Sequence, residues 1–249
     1  MSSEKTPMRK DAPPTPEARR SDHAAIDAFV RQARALATPV GEGEGEGGGR
    51  LILALDATMS RQPTWDLACR LQGEMFDAVG KAGGLSVQLV YFRGFGECRA
   101  SRFVRDTGSL KDLMTRIDCR GGHTQIGKVL SHALKETGRQ KVNALVYIGD
   151  AMEEEVDDLA QKAGRLGLSG VPVFAFQEGR DPVAETAFRE IARLSKGAWF
   201  RFDRNSAATL AKLLSAVAVF ASGGLKALEA RGRPEDRLMI ESMRGSGSR

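Results

Sequence analysis

Two kinds of apolar pattern alternate along this chain. LILALD (51–56), SVQLVYF (86–92), ALVYIGD (144–150), VPVFAF (171–176) and GAWFRF (197–202) are short apolar runs of the length expected for buried strands. Between them apolar residues recur at helical spacing: Leu67, Leu71, Met75 and Val79; Ile126, Val129, Leu130, Ala133 and Leu134; Val156, Leu159, Ala160 and Ala163; Ala187, Ile191 and Leu194. ECRASRFV (97–104) alternates and predicts a half-exposed strand joined to its predecessor by GFG, and a helix over about 206–231 closes the pattern. Strands alternating with helices imply right-handed crossovers. The expected fold is α/β: a doubly wound, mostly parallel sheet with helices on both faces and one antiparallel edge strand.

The flanks read differently. Residues 1–20 are polar and Pro-rich without periodicity, which predicts a flexible tail. From Ser21, a suitable N-cap, Ile26, Phe29, Val30, Ala33 and Leu36 form one stripe, so 21–40 is expected to be a docked helix. GEGEGEGGG makes 41–49 a Gly/Glu linker, the main domain runs over 50–231, and 232–249 is expected to be a mobile tail.

Composition narrows the function classes. The chain has 249 residues, enough for a sizeable core, and 41% of them are hydrophobic. Lys and Arg interrupt every apolar run before the roughly 18 residues of a membrane span, so no membrane partner is expected. The amino-terminal segment has no apolar stretch behind its charges, as a secretory signal would, and the expected location is cytoplasmic. The net charge of +5 is spread among nearly as many acids. Arg99, Arg102 and Arg105 lack interleaved aromatic platforms, so nucleic acid is not the expected partner. Cys69, Cys98 and Cys119 show neither CxxC nor zinc-finger spacing and are read as reduced thiols.

The candidate chemistry lies at strand ends, where open α/β sheets bind ligands. Asp56 ends the first strand and opens DATMS, so Asp56, Thr58 and Ser60 can aim three oxygens at one point. Asp150 ends the fourth strand, which can neighbour the first. Two adjacent carboxylates repel unless a proton or cation lies between them, and Mg²⁺ takes one or two acids together with hydroxyls and waters. GGHTQIG (121–127) adds Thr124 just before a helix. Metal ligands are therefore expected at Asp56, Thr58, Ser60, Thr124 and Asp150, with Mg²⁺ as the ion and Mn²⁺ or Ca²⁺ as alternatives.

This set resembles the metal-ion-dependent adhesion site of the von Willebrand factor A (VWA) domain family, D-x-S-x-S followed by a distant Thr and a distant Asp. Asp56, Thr58 and Ser60 match the first loop, Thr124 the second and Asp150 the third, with Thr58 in place of the usual Ser and His123 inside the second loop. The resemblance covers roughly residues 50–222. It implies a non-enzymatic module in which an Asp or Glu of a partner protein completes the metal shell, and by analogy with bacterial relatives a partner such as an AAA+ ATPase of the MoxR or chelatase type, or a stress-response complex.

Other readings compete. A haloacid dehalogenase-type phosphatase also ends its first strand in Asp and uses a later Gly-Asp, here Gly149 and Asp150, but its general acid would fall on Thr58. A dinucleotide enzyme would need G-x-G-x-x-G after LILALD, which is lacking. Glu153, Glu154, Glu155, Asp157 and Asp158 are read as favouring the start of their own helix. Trp65 is read as covering the core edge, and His123 as an exposed loop residue.

Overall fold

A computed structural model of the protein describes residues 48–64, 85–114, 116–203 and 207–246. The expected tail at 1–20, helix at 21–40, most of the 41–49 linker, Trp65, Cys69 and the helix marked by Leu67, Leu71, Met75 and Val79 lie outside these residues.

Strands β1 (Arg50–Asp56), β2 (Ser86–Arg93), β3 (Glu97–Ala100), β4 (Ala144–Gly149), β5 (Val173–Glu178) and β6 (Ala198–Phe202) form one six-stranded sheet in the order β3-β2-β1-β4-β5-β6. All pairings are parallel except β2 with β3, the antiparallel edge. Alternate side chains of each strand enter two separate cores, because successive residues point to opposite faces. Leu51, Leu53 and Leu55 face one core; Ile52 and Ala54 face the other. Every residue of β1 after Arg50 is buried, as the unbroken apolar run predicts.

Helices α1 (Thr107–Met114), α5 (Ala207–Arg231) and α6 (Pro234–Ser246) contribute to the first core, and α2 (Ile126–Arg139), α3 (Val156–Leu168) and α4 (Pro182–Ser195) to the second. The start of α4 follows the ordinary capping rules. Asp181 caps α4, its Oδ1 accepting from Ala184 N at 2.7 Å, and Pro182 occupies the first turn where no N–H is needed. Asp181→Ala is expected to cost about 1 kcal/mol in urea unfolding.

Three differences from the sequence reading have physical causes. α1 was too short to register: only Leu110, Leu113 and Met114 mark its buried face. The segment expected to be a mobile tail from 232 onward instead forms α6. Gly232 (φ 64°) ends α5, and Met239 and Ile240 are buried in the core. The apolar positions of α6 are hidden among five charged ones. Finally, α5 contains a non-helical Gly224, and over Ala208–Arg231 it is long and apolar enough to cross a membrane by length and composition. Here Leu210, Leu214, Val217 and Leu228 of that helix are buried in the first core.

Candidate metal centre

Because β1 and β4 are parallel neighbours with Leu55 beside Ile148, the acids that follow them emerge side by side. This is the point where the strand order reverses, the usual ligand position in such folds. Asp56 is buried, and its Oδ1 accepts from Thr58 N at 2.8 Å in an Asx turn. That turn projects the next two hydroxyls together, with Thr58 Oγ1 and Ser60 Oγ 3.1 Å apart. Thr58 is buried and Ser60 exposed.

The second loop is laced to both others. Thr58 forms a parallel bridge with Arg120, whose N–H donates to Ala57 O at 3.0 Å. Thr124 Oγ1 accepts from Glu153 N at 3.0 Å, and Thr124 N donates to Glu153 Oε2 at 3.1 Å, so this buried threonine is held against the loop that carries Asp150. A third tie runs to β2: Arg93, itself buried, donates to Asp118 O at 2.9 Å and Asp118 Oδ1 at 2.7 Å.

Gly122 rests on the β2–β3 turn so closely that a Cβ there would lie 2.1 Å from Gly94 O. Gly122→Ala must therefore push the Thr124 loop off that turn. The expected cost is roughly 1–3 kcal/mol in urea denaturation.

The electrostatics are unusual for a buried site. Burial pushes the Asp56 carboxyl up to about 6, against the lowering effect of its hydrogen bonds from Thr58, and the nearby Asp150 charge adds to the rise. Asp56 Oδ2 and Asp150 Oδ1 are both buried with no hydrogen-bond partner among the described residues. So is the hydroxyl of Tyr147, a fully buried β4 residue whose ionisation is opposed by burial and by Asp56, Glu154 and Asp150. Buried polar atoms are almost always satisfied, so two orphaned carboxylate oxygens at adjacent strand ends are a preference for something to fill the space between loops. Two acids and three hydroxyls form a hard, oxygen-only donor set suited to Mg²⁺. Among the described residues no group of three or more His, Cys, Asp or Glu is arranged to hold an ion, so any ion here would depend on the hydroxyls as well as the two acids.

Several neighbours were misread or missed in the sequence. Glu153 and Glu154 do not serve their own helix: Glu154 accepts from Ile126 N at 2.5 Å and Gly127 N at 2.9 Å, capping α2 from across the site. Asp157 and Asp158 do lie in the first turn of α3. His123 is exposed as expected, and its Nδ1 lies 3.1 Å from Glu153 Oε2 while its ring meets the edge of exposed Phe95. The largest omission is Arg61, buried one residue beyond Ser60 and paired with Glu178. Glu178 ends an apolar strand in an acid, as Asp56 does, and that repeated pattern could have found it.

No family model and no curated protein matches the chain in sequence. Solved structures do. A von Willebrand factor type A protein from Catenulispora acidiphila superposes with a TM-score of 0.59 at 17% identity, covering 71% of this chain and 43% of that one. The fold is that of the VWA domains. The SpRpn10 VWA domain superposes at 0.54 with 13% identity, over 66% of this chain and 94% of its own. An aerotolerance-related membrane protein from Bacteroides fragilis gives 0.54 at 18% identity, over 80% and 100%. The chain thus spans under half the length of the Catenulispora protein but all of the Bacteroides one. At these identities the likeness concerns the VWA fold and its strand order, and the site rests on this chain's own residues.

Proposed function

We propose that the protein is a metal-dependent interaction module that holds Mg²⁺ through Asp56, Thr58, Ser60, Thr124 and Asp150 and uses it to grip an acidic side chain of a partner protein. The observation that carries this reading is the pair of buried, unpartnered oxygens, Asp56 Oδ2 and Asp150 Oδ1, at the ends of adjacent parallel strands. A bound divalent cation would supply an electrophilic position at which a carboxylate can replace water. The chain's own contribution is to hold the donors in place. Asp56 orients the Thr58–Ser60 turn, Glu153 holds Thr124, and the α2 cap by Glu154 fixes the helix behind it.

Only two of the five ligands carry charge, so the ion keeps a net attraction for an outside acid. This favours binding over catalysis, and no catalytic residue is assigned. The phosphatase reading gains no support, since Thr58 occupies the position its general acid would need. Cytoplasmic location and an AAA+ or stress-response partner belong to the same proposal and rest on the family resemblance. The test is calorimetric titration with Mg²⁺ and Mn²⁺, followed by capture of partners with and without EDTA. Absence of ion binding by the wild-type chain ends the proposal.

A further inference from the structure

Arg61 is the largest fully buried side chain among the described residues, at 1% exposure. Charged groups are hidden this completely only when paired. Its partner is Glu178 at the end of β5, and its guanidinium carbon lies 5.9 Å from the Phe202 ring centre. Arg61 follows Ser60 directly and its N–H donates to Thr58 O at 3.1 Å, so a permanent cation is built into the turn that carries two of the ligands, and the Asp150 and Asp56 charges act on it. Without Glu178 that cation would already answer one of the two acids and would repel an arriving dication. With Glu178 paired to it, the guanidinium is neutralised, leaving the two negative charges of Asp56 and Asp150 for a divalent ion to answer.

We propose that Glu178 sets the divalent-ion affinity of the centre by neutralising the buried Arg61 guanidinium, which makes the Arg61–Glu178 pair a charge-setting element outside the ligand set. The inference rests on the metal reading and adds two positioning residues to it. An alternative is a purely mechanical clamp, in which the pair only ties the Met59–Thr64 3-10 helix to β5. The two differ in sign. Charge setting makes Glu178→Gln weaken the ion and Arg61→Met strengthen it, whereas a clamp makes either change weaken it.

The experiment is Mn²⁺ titration of the full chain by calorimetry for the wild type, E178Q, R61M and the R61M/E178Q double variant, with thermal unfolding in EDTA recorded alongside. E178Q is expected to weaken Mn²⁺ binding on the order of tenfold, and R61M to tighten it by a similar factor. The double variant should return to within about threefold of wild type, since it removes both charges together. R61M decides the sign, and if it fails to fold the double variant does, since charge setting returns it to near wild type whereas a lost clamp leaves it weakened. Equal affinity in wild type and E178Q, or weakening by R61M in a folded protein, overturns this inference alone. A wild type that takes no Mn²⁺ overturns the metal reading and this inference with it.

Discussion

Replacing Asp56 with asparagine is expected to make the ion-free protein more stable and to end its response to magnesium. Burial penalises the charge of the wild-type carboxyl and pushes it up to about 6 in the folded chain, against 3.8 for a free carboxyl. Between those values the folded state holds the extra proton, so stability falls as pH rises from about 4 to about 6 and stays reduced above that. Full ionisation of the buried carboxyl costs at most about 3 kcal/mol. Asparagine keeps an oxygen for Thr58 N and carries no charge to bury. Urea unfolding in EDTA at pH 7.5 should therefore show D56N more stable by about 2 kcal/mol, with no loss between pH 4 and 6 from this position. With magnesium the order reverses, because an ion that binds only the folded state stabilises wild type by mass action and leaves the variant unchanged. D56N less stable than wild type in EDTA would mean that the carboxylate is a structural necessity.

Asp236→Ala is expected to be the most damaging change away from the centre. Asp236 is completely buried; its carboxylate accepts from Arg231 Nε at 2.8 Å and from Arg233 N at 3.0 Å, and it also pairs with Arg231 Nη2. Arg231 in turn donates to Ser215 Oγ at 3.0 Å, so one acid joins the end of α5, the start of α6 and the middle of α5. Truncation strands a guanidinium with little access to water, a change that costs roughly 3–5 kcal/mol. Thermal unfolding should report the loss, and limited proteolysis should show α6 becoming cleavable. Arg231→Met combined with Asp236→Leu is expected to recover most of it, since buried pairs exchange well for apolar ones when both partners go together. Failure of the double replacement would mean that the hydrogen bond to Arg233 N matters more than the charges.

Much of the fold was legible because buried parallel strands must be apolar on both faces. LILALD, SVQLVYF and ALVYIGD could hardly be read otherwise, and the terminal acids of the first and last of these, Asp56 and Asp150, marked the edge where ligands bind. The convergence of Asp56 and Asp150 followed from strand order alone. What was not legible depended on contacts between distant segments. Glu153 and Glu154 look like acids at the start of α3, and only the packing of α3 on α2 reveals that Glu154 caps a different helix and Glu153 holds the Thr124 loop. Arg61 looks like any loop arginine until Glu178 arrives from β5. α6 was lost because its two buried apolar residues, Met239 and Ile240, lie in a segment whose charges suggested solvent.

The pairing of β1 with β4 has a consequence for the newly made chain. These strands lie far apart in sequence, with Leu51 beside Ala144. A ribosome that has released the first acid has yet to synthesise the second. Contacts over such separations form late, after the entropy of closing a long loop has been met. Cation capture at the proposed centre would thus serve as a certificate of completed folding.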